Sequence, residues 1–417
     1  MRIRTHLILS TLLVLAVAKP ALASDLALVG AKVYLSPTDP PLENATILVH
    51  NGRIAAVGPS ATTKPPRFAR AVTVVHCKGM VVTAGYWNSH VHIFTIGLLH
   101  SEKLSSAELA TQLEAMLTRW GFTTVFDIAS VLDNTNSIRH RIDSGEVRGP
   151  RILTVGEPFY PKGGIPVYIK GFLEENHVSL PEDDSSAQAV ERVRLQMHNG
   201  ADAVKIFAGS IQPQSVLVMP LDLATAIVAE AHRDGKPVFA HPSNTEGIEV
   251  ALKSGVDILA HTAPMSGPWT PDLVQRIEAA HMAVIPTLTL FEVEYKKFGG
   301  TPEEIADTIR VASQQLKSYS DAGGQILFGT DVGYTDHFDT AEEFTLMFRA
   351  GLTWQQILAT LTTNPAERFG YSMHSGRIAK GLDADLVVLS ADPPQDVTAF
   401  SKVAFTIRHG KIIFGRP

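Results

Sequence analysis

Two histidines one residue apart, His90 and His92, close an apolar run in "GYWNSHVHIF". In an extended strand residues i and i+2 share a face, so both imidazoles can point at one cation. They can equally be two polar residues at a strand end, and the pair alone does not decide. Four more residues at or near the ends of other strand-like runs change the balance. Lys205 lies in "DAVKIF", His241 in "PVFAHP", His261 in "DILAHT" and Asp331 in "ILFGTD". Imidazole and carboxylate ligands suit zinc and similar divalent ions. Of the 16 histidines, the remaining twelve fall on helices, loops and termini and read as structural or solvated. His281, for example, opens a strand at the end away from the other candidates.

The elements that must position these groups are legible in the middle of the chain, 83–372. Short apolar runs alternate with helix-period segments such as "SSAELATQLEAMLTRW", "LDLATAIVAEAHRDG", "TEGIEVALKSG" and "PDLVQRIEAAH". Eight strand candidates appear: "VVTAGYWNSH", "TTVFDIA", "RILTVGE", "DAVKIFAG", "PVFAHP", "DILAHT", "AVIPTL" and "ILFGTD". Eight β-α units in one run predict an α/β fold, a closed (β/α)8 TIM barrel. An open doubly wound sheet would favour a Gly-rich turn after its first strand, and none is present. Barrel active sites form at the C-terminal strand ends. The six residues then meet on one rim, from strands 1, 4, 5, 6 and 8.

The flanks, 24–82 and 373–417, are β-rich and predict one small β-sandwich built from both termini. Asn51-Gly52 and His409-Gly410 are tight-turn signals within them. Cys77, the single cysteine, sits in the strand-like "VTVVHCKGMVV" and is read as a core residue without a disulfide partner. The N-terminus has Arg2 and Arg4, an apolar stretch over 7–18, and Ala21-Leu22-Ala23 as a small-x-small site. That is the pattern of a signal peptide, 1–23, giving an exported, periplasmic or secreted protein with no stable membrane anchor. A net charge of −6 without long like-charge blocks excludes nucleic acid as the expected partner. Homo-oligomerisation is left open.

With the His-x-His, Lys, His, His, Asp order on the page, the chain resembles the amidohydrolase superfamily. It is closest to the imidazolonepropionase-like and Xaa-Pro dipeptidase-like branch. "GFTTVFDIA", "GPRIL" and "GRIAKGLDADLVVL" extend the likeness over about 25–417. The resemblance implies that Lys205 carries a CO2-derived carbamate bridging two divalent ions, zinc being the expectation. His90, His92, Lys205 and Asp331 would hold one ion, and Lys205, His241 and His261 the other. It further implies a metal-bridging hydroxide, with Asp331 as the catalytic residue, first base and then acid. The activity implied is hydrolysis of an amide or peptide C–N bond in a dipeptide, N-acyl amino acid or cyclic amide. The alternatives are a lactone or phosphoester hydrolase, a deaminase, or an inactive binding homologue.

Three departures from the family pattern are visible. Asn88 stands where an aspartate often precedes the first metal histidine. The loop "EPFYPKGGIPVYIKGF" lacks the histidine that dipeptidase-like members carry, the next being His177. Asn244, not a glutamate, lies three residues after His241, against the deaminase reading. For the substrate, the expected aromatic mouth comprises Phe94, Phe159, Tyr160, Tyr168, Trp269, Phe291 and Tyr334. Lys162, Lys170 and Arg349 are the candidates for binding a substrate carboxylate.

Overall fold

The apolar run "VVTAGYWNSH" divides at Gly85 into strands of two different sheets. A computed structural model, which describes residues 25–65 and 72–416, places Val81–Ala84 in a terminal sheet and Tyr86–Val91 in a barrel. The barrel thus begins after Gly85, and Thr83 and Ala84 pair with Val387 and Leu386 of the smaller sheet. The expected boundary at 82/83 shifts accordingly. The signal-peptide reading, 1–23, lies outside the described residues. Among the described residues no helix is long and apolar enough to cross a membrane.

Barrel strands 1 to 3 are Tyr86–Val91, Phe122–Asp127 and Arg151–Thr154, paired in parallel. Strands 4 to 7 are Val204–Phe207, Val238–His241, Ile258–Ala260 and Ala283–Ile285, also parallel. Single backbone bonds join the two arcs. Phe159 donates to the Lys205 carbonyl and accepts from Phe207 N, at 2.8 and 3.0 Å. On the other side, Leu327 N donates to Val284 O, Ser89 N to Phe328 O and His92 N to Val332 O. The eighth strand, expected from "ILFGTD", is therefore an irregular segment and not a full ladder. Close packing explains part of this: a Cβ on Gly329 would lie 2.3 Å from Ile285 and 2.7 Å from the His90 Cβ. Asp331 adds a left-handed backbone turn, φ 58°, that extended geometry does not allow.

Strand parity decides which side chains enter the barrel. Along strand 5, Phe239 joins the inner cluster with Trp87, Phe126, Ile258 and Leu327. Val238 and Ala240 pack outward against the helical layer. His241 shares the parity of Phe239 and so points in at the strand end. The same count turns Lys205 inward between Val204 and Ile206. Outer helices bury one stripe each, as in Leu221–Arg233 with Leu223, Ile227, Val228 and Ala231.

Both termini build one eight-stranded sheet that packs as a β-sandwich beside the barrel. Leu28, Ile47, Cys77 and Val82 from the N-terminal side share its core with Leu386 and Ile407. Asn51 and Gly52 take left-handed φ values of 50° and 75° between strands Leu42–His50 and Arg53–Pro59. His409 and Gly410 do the same, at 47° and 70°, between Val403–Arg408 and Lys411–Phe414. These are the mirror-image turns that match strand twist.

Candidate active site

The C-terminal ends of the strands surround a cavity of about 690 Å³ whose floor is formed by His90, His92, Lys205, His241, His261 and Asp331. All six residues singled out from sequence are brought together. The Asp331 carboxylate lies 2.8 Å from His92 Nε2, 3.3 Å from His90 Nε2 and 3.8 Å from His261 Nε2. His241 extends the cluster, its ring centroid 4.8 Å from that of His261. Gly333 admits the first strand here, because a Cβ on it would sit 1.8 Å from the His92 carbonyl oxygen.

Local bonds fix the tautomers. Thr287 gives its only hydroxyl proton to the Pro286 carbonyl and so must accept from His261 Nδ1, at 2.7 Å. His92 donates Nδ1–H to the Ala129 carbonyl at 2.9 Å. Each neutral ring is left with an Nε2 lone pair facing the cavity. Burial pushes His90 down to about 4 and lowers His241 and His261 well below the ordinary imidazole value. Burial alone would raise Asp331, but the neighbouring His90 and His92 outweigh it and hold the carboxyl well below its usual range. Both ring nitrogens of His90 and one Asp331 oxygen are buried without a hydrogen-bond partner. Acceptors this close repel one another unless a positive charge lies between them. A shared proton supplies one charge; a divalent cation held by His90, His92 and Asp331 would supply two and engage one ligand atom of each residue.

Lys205 is buried, and burial lowers its ammonium to about 7. Neither Asp331 nor Asp127 lies within ion-pair distance of Lys205 among the described residues. Asp127 is otherwise engaged, accepting from Ser130 and Thr135 hydroxyls at 2.5 and 2.8 Å, Thr154 at 3.1 Å and Ile93 N at 3.1 Å. It therefore pins the backbone immediately after His92, a positioning role that sequence reading did not assign. The signal was an aspartate closing a barrel strand.

Asn88 does not reach the His90 ring. Its amide donates to Thr330 Oγ1 at 2.8 Å and its oxygen accepts from His90 N at 3.2 Å, tying strand 1 to the segment carrying Asp331. Phe94, Tyr160, Tyr168, Phe291 and Tyr334 line the cavity as expected. Two other aromatic candidates do not. Phe159 lies under the Arg192 guanidinium and Trp269 packs on Tyr319. Lys162, Lys170 and Arg349 also stay outside, Lys162 pairing with Asp184 at 3.0 Å. The wall instead takes Glu294 and Lys297 from the helix Leu288–Lys297 and Glu304 from the helix Pro302–Asp321. The loop without a histidine folds as the helix Val167–Glu175 and places Tyr168 near His241, 6.5 Å between ring centroids.

A barrel with this rim and a flanking β-sandwich defines a hydrolase of the metal-dependent amidohydrolase class. The model of the amidohydrolase family matches residues 81–413, and the chain belongs to that family. It is similar to ochratoxinase from Aspergillus niger, 25% identical over 90% of this chain and 84% of that protein. It is also similar to L-hydantoinase from Paenarthrobacter aurescens, at 22% over 86% and 84%. Among solved structures, a candidate prolidase from Bifidobacterium longum superposes with a TM-score of 0.77 and 27% identity, covering 95% and 96% of the two chains. A Xaa-Pro dipeptidase with bound methionine gives 0.78 at 21% identity, covering 93% and 99%.

Proposed function

We propose that the protein hydrolyses the amide C–N bond of a small molecule with a sizeable apolar or aromatic part. The observation that carries this reading is the convergence of six nitrogen and oxygen groups at the floor of a mostly apolar cavity. The relatives named for ochratoxinase, hydantoinase and dipeptidase activities support the amide class.

In this reading His90, His92, Asp331 and a carbamate on Lys205 would hold one divalent ion, and Lys205, His241 and His261 would hold a second, zinc suiting the donor set. When bound, such ions acidify water and polarise a carbonyl. Lys205 fits the carbamate role because it is buried, unpaired and partly free amine near neutral pH, the form that adds CO2. Asp331 accepts the proton of the attacking water and returns it to the leaving nitrogen, which burial keeps from escaping to solvent. Thr287 and Ala129 hold the His261 and His92 rings in place throughout. The apolar wall receives the non-reacting part of the substrate. Export through the N-terminal leader belongs to the same proposal.

The test is a hydrolytic screen of dipeptides, N-acyl amino acids, cyclic amides, lactones and phosphotriesters with zinc-loaded protein, with metal content measured in parallel. Cleavage of an amide, lost on chelation and regained with zinc, is the expected result. Turnover of lactones or phosphotriesters with no amide cleaved would overturn it.

A further inference from the structure

The helix Leu288–Lys297 starts at the cavity floor, where Thr287 holds His261, and runs up the wall. Glu294 lies seven positions after Thr287, roughly 10 Å of helix. Three carboxylates line the cavity: Asp331, Glu294 and Glu304. Asp331 belongs to the histidine cluster. Glu304 is turned back onto the Thr301 amide at 2.7 Å as the cap of its own helix. Glu294 has no such engagement. One of its oxygens accepts the Tyr334 hydroxyl at 3.1 Å, and no cationic side chain pairs with it among the described residues. Lys296 is taken by Glu292; Lys297 lies over the Tyr334 ring, 5.3 Å from its centroid, and acts on Glu294 only through space, without an ion pair. The surrounding wall is apolar, with Phe291 and Tyr168 nearby. A carboxylate in such a place is costly unless a cation or donor meets it. Burial accordingly moves Glu294 up to about 7.

We infer that Glu294, oriented by Tyr334, is the subsite for an ammonium group on the substrate and so determines specificity. This rests on the amide-hydrolase reading and adds the charge its substrate carries. The ammonium has two sources, an α-amine beside the scissile carbonyl or an amine on a substrate side chain. In either case the charged group displaces water from a carboxylate that already has one donor in place, and the pair forms inside a low-dielectric cavity.

The experiment compares zinc-loaded wild type with Glu294→Gln on matched substrates. One pair is a dipeptide and its desamino analogue; the other is an N-acetyl-lysyl amide and its N-acetyl-norleucyl counterpart. Wild type should prefer the amine-bearing member of one pair by about 10–100-fold in kcat/KM, the range of a charge-assisted hydrogen bond. The preferred pair identifies the source. Glu294→Gln should erase that preference, lowering kcat/KM for the amine-bearing member by about 10–100-fold more than for its uncharged partner. Equal loss on both members would make Glu294 structural and overturn the inference, as would no preference in wild type. Calorimetric binding of hexylammonium and hexanol to the zinc-loaded protein needs no turnover and separates this failure from failure of the amide reading. Tighter binding of the ammonium by about tenfold is expected in wild type and not in Glu294→Gln. Equal affinities in wild type, or a preference that survives in the variant, would sink the subsite.

Discussion

Two buried aspartates close strand regions on the same rim, and their surroundings are opposite. Asp127 accepts from three hydroxyls and one backbone N–H. Asp331 faces histidine nitrogens, and one of its oxygens has no hydrogen-bond partner. Both are costly to bury. The first is met by donors inside the protein and ties loops together, although burial still raises its carboxyl above the ordinary value. The second is left to be compensated by something the chain itself does not supply. A buried carboxylate surrounded by donors is structural; one surrounded by other acceptors is built for a cation.

The largest expected effect follows from removing the charge of Asp331 without changing its size. Asp331→Asn should lower kcat by roughly 10²–10⁴-fold, the range of general acid–base catalysis, with the fold intact by circular dichroism. Activity near wild type would end the contrast. Asp127→Ala should act in the other direction. It strands several buried donors, so unfolding free energy should fall by about 3 kcal/mol in denaturant titration, with metal affinity falling less. A variant that loses only activity would mean that the two aspartates have been assigned the wrong way round.

Thr287→Val sharpens the comparison at the histidines. Without its acceptor, the His261 ring is no longer held with Nε2 towards the cavity. In the two-ion reading proposed above, affinity for the ion assigned to His241 and His261 should drop by about 10–100-fold, read by competition with a chelator. Unchanged affinity would show that packing alone orients the ring.

Glu343 lies between the two aspartates in character. It is buried, accepts from Leu288 N, Thr289 N and Thr289 Oγ1, and caps the wall helix that carries Glu294. Burial still raises it to about 7. Its folded-state value lies above the unfolded one near 4.5, so the folded protein holds the proton more tightly between those values. The stabilisation is fully present below about pH 4.5 and is lost as pH rises through 7. Relative to Glu343→Gln, wild type should lose about 3 kcal/mol of unfolding free energy between pH 4.5 and pH 8. A flat difference across that window would mean that the Leu288 and Thr289 donors fully compensate an ionised Glu343.

The fold class and the six floor residues were legible because they depend on local order. A strand end is set by its own sequence, and in a barrel every strand C-terminus reaches the same rim. His90, His92, Lys205, His241, His261 and Asp331 could therefore be gathered from their places in five of the eight runs. The two tight turns, Asn51-Gly52 and His409-Gly410, were legible for the same reason, since their backbone preference is carried by the residues themselves. The eighth strand was located but its irregularity was not, because that depends on how closely Gly329 packs against His90 and Ile285.

What only the tertiary structure decided is which side chains surround the floor. Trp269 and Phe159 are aromatic residues in the right loops, yet both are used in packing. Lys162, Lys170 and Arg349 have the right charge and point elsewhere, while Glu294 and Lys297 reach the wall from a helix whose composition gave no cue. Asp127 and Asp331 differ not in type or strand position but in what lies opposite them. The sequence determined which groups arrive at the rim, since that is a matter of strand parity and chain order. The three-dimensional packing of loops and helices determined what each group meets, because those neighbours come from segments distant in the chain.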